Sequence, residues 1–234
     1  MEQQKLKEKK VAVLIDNGFE RVELESPVEK LRQAGATVEI ISNKDKVKAW
    51  EVDDWGKEVK VDKMVDQADV HEYDALLLPG GVMNPDYLRI DQKAIDFVKY
   101  FIGTQKPVAA ICHGPWTLVE TGMVKGRKLT SYPSLKTDLK NAGAEWVDRE
   151  VVVDGNLITS RNPDDLPAFN EKVLEMFSSV GVSVSDDLNS GSTQDSELKR
   201  QVTDTMHKKG HIQVEDGNDR FMTRDDELKH RYEK

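Results

Sequence analysis

The chain has 234 residues, enough for one large domain or two small ones, and its single cysteine, Cys112, excludes an intrachain disulfide framework. Apolar residues make up 38% of it, sufficient for a core, while charged residues make up 33%, a polar excess that must be placed somewhere. The net charge of −9 argues against nucleic acid as a partner, because phosphate contacts need clustered Lys and Arg.

Residues 1–10 are rich in Lys and Glu and hold no apolar stretch that would serve as a signal peptide or membrane span, so a cytoplasmic location is expected. Val11 to Ile15 is an apolar, mostly branched run and predicts a buried strand, ended by Asp16-Asn17-Gly18. Glu23 to Ala34 predicts a helix stopped at Gly35, and Thr37 to Ser42 a second strand. Strand, helix and strand in so short a span imply a parallel βαβ unit. Val47 to Val61 alternates around Asp53-Asp54-Trp55-Gly56 and predicts a hairpin excursion. Ala75 to Leu78 is a third buried strand running into Pro79-Gly80-Gly81, and Asp91 to Ile102 a helix with Ala94, Ile95, Phe97, Val98 and Phe101 near one face. Val108 to Ile111 is the next strand, and Gly114-Pro115 opens a helix directly after Cys112-His113. Leu135 to Ala142 predicts a short helix, Trp146 to Ser160 two strands joined at Asp154-Gly155-Asn156, and Leu166 to Val180 a closing helix. This alternation predicts a doubly wound α/β sandwich with a mostly parallel central sheet. The expected division is an N-terminal arm, 1–9, a globular domain, 10–181, and a charged C-terminal extension, 182–234. In that extension His207 and His211 have i, i+4 spacing, but Gly210 lies between them and no third ligand is evident, so no metal site is read there.

In open α/β sheets chemistry collects at the carboxyl ends of the strands. Cys112 sits there, at a strand-to-helix elbow. Such a thiol is expected to be lifted toward solvent and to face the free N–H groups of the next helix, both of which favour thiolate. His113 is a candidate general base, although adjacent side chains on a tight turn tend to diverge. The backbone N–H groups of Gly80, Gly81 and His113 are candidates for an oxyanion hole. Glu23 opens the first helix on the same edge, where a buried, protonated carboxyl would stabilise the thiolate; Glu20 and Glu25 compete for that role.

Several long segments carry a resemblance: Ala110-Ile111-Cys112-His113-Gly114-Pro115, Leu78-Pro79-Gly80-Gly81, Gly126 to Pro133, Asn141 to Trp146 and Ser160 to Phe169. Together they resemble the PfpI (intracellular protease I) family, in particular its YhbO-type general stress proteins, from about Lys10 to Val180. The resemblance implies a flavodoxin-like sandwich of the class I glutamine amidotransferase-like superfamily, related to Parkinson disease protein 7. It implies Cys112 as nucleophile, Glu23 as the buried glutamate, and an acid after the Gly-Gly turn, Asp86, supplied by a neighbouring subunit to complete a triad with His113. A homo-oligomer, dimer or hexamer, with a shared site is therefore expected. The implied activities all begin with thiolate attack on a carbonyl: glutathione-independent glyoxalase, protein deglycase, or peptidase. Small reactive carbonyls or glycated proteins are the expected substrates, with no cofactor and no metal; a non-enzymatic redox sensor or chaperone is the alternative. Trp116 stands where relatives often carry Gln and is expected to reshape the pocket.

Overall fold

Along the central strands, alternate residues face opposite ways and both faces are apolar, so the sheet must be covered on two sides. In the computed structural model, which describes residues 5–179, it is. The elements run β1 (Lys10–Leu14), β2 (Phe19–Glu20), α1 (Arg21–Gln33), β3 (Thr37–Ser42), β4 (Lys46–Glu51), β5 (Asp54–Lys60), β6 (Lys63–Met64) and β7 (Ala75–Leu78). Then follow α2 (Met83–Arg89), α3 (Gln92–Gly103), β8 (Val108–Ile111), α4 (Pro115–Val119), β9 (Lys128–Leu129), α5 (Lys136–Asn141), β10 (Glu145–Trp146), β11 (Val151–Asp154), β12 (Leu157–Ser160) and α6 (Leu166–Ser178).

The main sheet has the order β11-β12-β8-β7-β1-β3-β6 and is parallel except for β11, which pairs antiparallel with β12. Val11, Val13, Ile15, Leu77, Ala109, Ile111 and Ile158 face one way and pack with Leu24, Val28 and Leu31 of α1 and Phe169, Val173 and Phe177 of α6. Ala12, Leu14, Leu76, Leu78, Val108 and Ala110 face the other way, against Phe97, Val98 and Phe101 of α3, Leu118 of α4 and Leu139 of α5. Each large side chain so buried contributes roughly 1.5–3 kcal/mol relative to exposure. Asp91 caps α3, its Oδ1 accepting from the N–H groups of Lys93 at 2.9 Å and Ala94 at 3.4 Å. The architecture is the doubly wound sandwich that the alternation of elements predicts, in the flavodoxin-like form that the resemblance implies.

Two local features, at α2 and at Trp146, differ from the sequence expectations, and two others add to them. Residues 79–86 continue into helix α2, because Pro85 falls in the first helical turn, where a missing N–H costs nothing. The hairpin after β3 forms a small separate sheet, β2-β4-β5. Trp146 does not belong to the β11–β12 hairpin but lies in β10, which pairs with β9 in a two-stranded sheet of its own. The described part of the N-terminal arm is tied down: Leu6 is fully buried and its N–H donates to the Ala34 carbonyl at 2.9 Å. The extension 182–234, with His207 and His211, lies outside the described residues. Among the described residues no helix is long and apolar enough to cross a membrane.

Candidate active site

Cys112 follows the last residue of β8 with φ +61°, a left-handed conformation that a non-glycine residue adopts at a cost of about 1–3 kcal/mol. Three backbone hydrogen bonds impose it. The Cys112 N–H donates to Ser160 O at 3.0 Å, its carbonyl accepts from the Tyr132 N–H at 2.8 Å, and the Gly114 N–H closes the turn on Ile111 O at 2.8 Å. The dihedral angle also corrects the expectation that neighbouring side chains diverge: Cys112 Sγ and His113 Nδ1 converge to 3.2 Å. Neither side chain is lifted into solvent, since Cys112 is 7% and His113 8% exposed.

The glycine turn after β7 closes over this pair. Gly80 admits no side chain: a Cβ there would lie 2.6 Å from Glu23 Oε2 and 2.7 Å from Cys112 Cβ. Gly81 has φ +79° and packs against the Gly18 carbonyl. Buried Asn84 fixes the turn, its Nδ2 donating to Pro79 O at 2.8 Å and Gly80 O at 3.1 Å while its Oδ1 accepts from the Asp16 N–H at 2.6 Å. The three backbone donors expected to form an oxyanion hole divide. Gly80 N–H is engaged by Glu23 Oε2 at 2.8 Å and is not free for a substrate. Gly81 and His113 N–H groups point at the Cys112 sulfur, next to the position of an oxygen on a carbon bonded to it.

Glu23 is the carboxyl group that meets the sulfur; Glu25 is instead paired with Arg21 at 2.9 Å on the helix surface, and Glu20 is half-buried. Glu23 is fully buried, and its Oε1 has no hydrogen bond from any other residue. Burial pushes Glu23 up to about 7, opposed by the neighbouring Cys112 thiol and by the Gly80 N–H. Burial, then the charge of an ionised Glu23, push the Cys112 thiol up, opposed by the N–H groups of Gly81 and His113. While Glu23 is ionised the elbow therefore does not lower the thiol as expected: α4 has only five residues, and the sulfur is enclosed. Burial lowers the His113 pKa, which favours the neutral imidazole needed of a base.

Asp86 stands exposed on α2 and makes no hydrogen bond to His113 of its own chain. Sequence reasoning missed Ser134, whose Oγ lies 3.1 Å from His113 Nε2. Its nearest sequence signal is the Gly126 to Pro133 segment of the resemblance, which ends one residue before it. Trp116 packs against the α3-side core with the Arg89 guanidinium stacked 4.4 Å over its ring. A groove of about 710 Å³ beside α1, lined by Leu24, Val28, Ile40 and Val59, includes none of these site residues. Among the described residues no cluster of ligating side chains suits a metal ion.

A sheet wound on both faces, with a thiol on a strained turn at the carboxyl end of a central strand, is the frame of flavodoxin-like cysteine proteins. Within that class the chain belongs to the DJ-1/PfpI family, whose model matches residues 9–176. It is 46% identical over 170 residues to the putative cysteine protease YraA of Bacillus subtilis (strain 168), covering 72% of this chain and 98% of that one. It is 47% identical over 170 residues to protein/nucleic acid deglycase 2 of Escherichia coli (strain K12), with the same coverage. The crystal structure of Drosophila melanogaster DJ-1beta superposes with a TM-score of 0.66 at 28% identity, over 83% of this chain and 97% of that one.

Proposed function

We propose that the protein is a cysteine enzyme acting on small reactive carbonyls, as a glutathione-independent glyoxalase or a deglycase, with Cys112 as nucleophile. The observation that carries this reading is a cysteine 7% exposed whose side chain is held between Glu23 and His113. A site so enclosed suits a two- or three-carbon aldehyde, or the end of a glycated side chain, better than an extended polypeptide. The relatives' names, deglycase and putative cysteine protease, support a thiol-dependent attack on carbonyl carbon.

The reactive form is a thiolate facing protonated Glu23. Burial still raises the thiol, but with the proton on Glu23 the repulsion that adds to it is replaced by a donated hydrogen bond, and the orphaned Oε1 gains a role. Glu23 and Cys112 therefore titrate as a pair. The thiolate attacks the aldehyde carbon of a 2-oxoaldehyde, and the oxyanion of the hemithioacetal falls beside the N–H groups of Gly81 and His113. His113 Nδ1 takes the proton from that carbon and returns it to the neighbouring one. The resulting thioester of a 2-hydroxy acid is released by water, so the net change adds one water to the substrate. A glycated amine or thiol presents the same carbon, with the protein as leaving group.

A reducing cytoplasm suits a lone reactive thiol. Exposed Val82 and Ile90, 59% and 71% accessible beside α2, are apolar groups that a second copy in a dimer or hexamer would cover. The test of the function is turnover of methylglyoxal, a glycated peptide and casein in parallel. The expected order is methylglyoxal or the glycated peptide well ahead of casein. Casein cleavage exceeding both would establish a peptidase, and peroxide-sensitive Cys112 without turnover of any of the three would establish a sensor.

A further inference from the structure

We propose that Ser134 is the positioning residue of His113: its hydroxyl oxygen accepts from Nε2–H and holds the imidazole in the tautomer whose bare Nδ1 faces the Cys112 sulfur. The inference rests on the carbonyl-enzyme reading above and adds to it a partner for the base from the same chain.

Chain geometry brings the hydroxyl there. Tyr132 N–H donates to the Cys112 carbonyl at 2.8 Å, which ties the start of this segment to the elbow itself. Ser131 Oγ donates to Tyr132 O at 2.9 Å and accepts from Trp146 Nε1 at 3.0 Å, so the segment is braced from behind. Pro133 then opens a single 3₁₀ turn, Pro133–Leu135, closed by the Leu135 N–H on Tyr132 O at 3.1 Å and anchored by buried Leu135. Proline fixes φ at the first position of that turn, and Ser134 is the second. The Tyr132 ring stacks on His113 with centroids 4.6 Å apart and planes 24° from parallel, which limits rotation of the imidazole. Its two nitrogens are left with one neighbour each: the sulfur at 3.2 Å and Ser134 Oγ at 3.1 Å.

A base at Nδ1 must lack a proton there, so Nε2 must carry one, and a buried N–H requires an acceptor. Ser134 Oγ is that acceptor before and after proton transfer. When Nδ1 takes the proton from the substrate carbon, the imidazole becomes doubly protonated, and Nε2–H remains with Ser134. The hydroxyl's own proton takes no part in the transfer. Ser134 thus supplies within one chain the orientation that the resemblance assigns to Asp86 of a neighbour.

Full-length protein with ¹⁵N-labelled histidine, wild type and the variants Ser134→Ala, Ser134→Thr and Asp86→Asn, decides the matter by long-range ¹H–¹⁵N spectra of His113. Wild type and Ser134→Thr are expected to show the Nε2–H tautomer. Ser134→Ala is expected to show a mixture and to lower kcat for methylglyoxal about fivefold at unchanged KM, the size of one neutral hydrogen bond. It should also flatten the basic side of the pH–rate profile, which Ser134→Thr restores. An unchanged tautomer in Ser134→Ala would overturn the proposal. So would a tautomer that shifts in Asp86→Asn but not in Ser134→Ala, which would hand the role to a partner's acid. If wild type turned over no carbonyl, the enzyme reading would fail, while the spectra would still decide the assignment of Ser134.

Discussion

Cys112→Ser is expected to fold as the wild type does and to lose turnover of methylglyoxal and of glycated peptide by at least about a thousandfold, the scale at which removal of a nucleophile leaves only binding and backbone electrostatics. Serine keeps the volume, and the left-handed backbone at φ +61° is imposed by Ser160, Tyr132 and Gly114 rather than by the sulfur. The hydroxyl, however, ionises far above the range that Glu23 and His113 can reach. Steady-state rates with circular dichroism as a folding control check this. Residual activity above about one-tenth would mean that another group carries the chemistry.

The next largest effect is expected at Glu23. Glu23→Leu removes both the acceptor of Gly80 N–H and the donor to the sulfur. It should lower turnover by about a hundredfold or more, within the range of general acid–base contributions. It also leaves a buried N–H unpaired, at about 1–3 kcal/mol of stability. Glu23→Gln keeps an acceptor for Gly80 and an N–H for the sulfur, so its loss should be nearer tenfold. Equal losses in the two variants, measured by kcat and by thermal melting together, would show that Glu23 serves only to hold the turn.

What the sequence showed of this arrangement follows periodicity. The apolar runs at Val11–Ile15, Ala75–Leu78 and Val108–Ile111 mark strands buried on both faces, and the spacing of Phe97, Val98 and Phe101 marks α3. Once those elements are ordered, the carboxyl-end rule brings Glu23, Gly80, Gly81, Cys112 and His113 to one edge. The remaining features depend on quantities that periodicity does not encode. Glu20, Glu23 and Glu25 are indistinguishable until the helix start at Arg21 sets which one points inward. Pro85 reads as a breaker until it is placed in the first turn of α2. The convergence of Cys112 and His113 is a matter of one dihedral angle. The diversion of Gly80 N–H to Glu23, and the approach of Ser134 to His113, are contacts between residues 57 and 21 positions apart. The assignment of the neighbour's Asp86 came from the family resemblance, and it concerns an interface that one chain does not display.

The central claim is that Cys112 becomes a thiolate while its partner Glu23 keeps the proton. The most direct test is the rate of iodoacetamide alkylation at Cys112 as a function of pH, with the modified site confirmed by mass spectrometry. Burial raises Glu23 above its ordinary value, so its carboxyl keeps a proton into the neutral range and can donate to the sulfur there. With that donor in place, the alkylation rate should rise with a midpoint below the free-thiol value of about 8.5. It should be low at pH 5, and the midpoint should move upward in Glu23→Leu. A wild-type midpoint at or above the free-thiol value of about 8.5 would contradict the account, because burial would then hold Cys112 as an inert thiol at neutral pH.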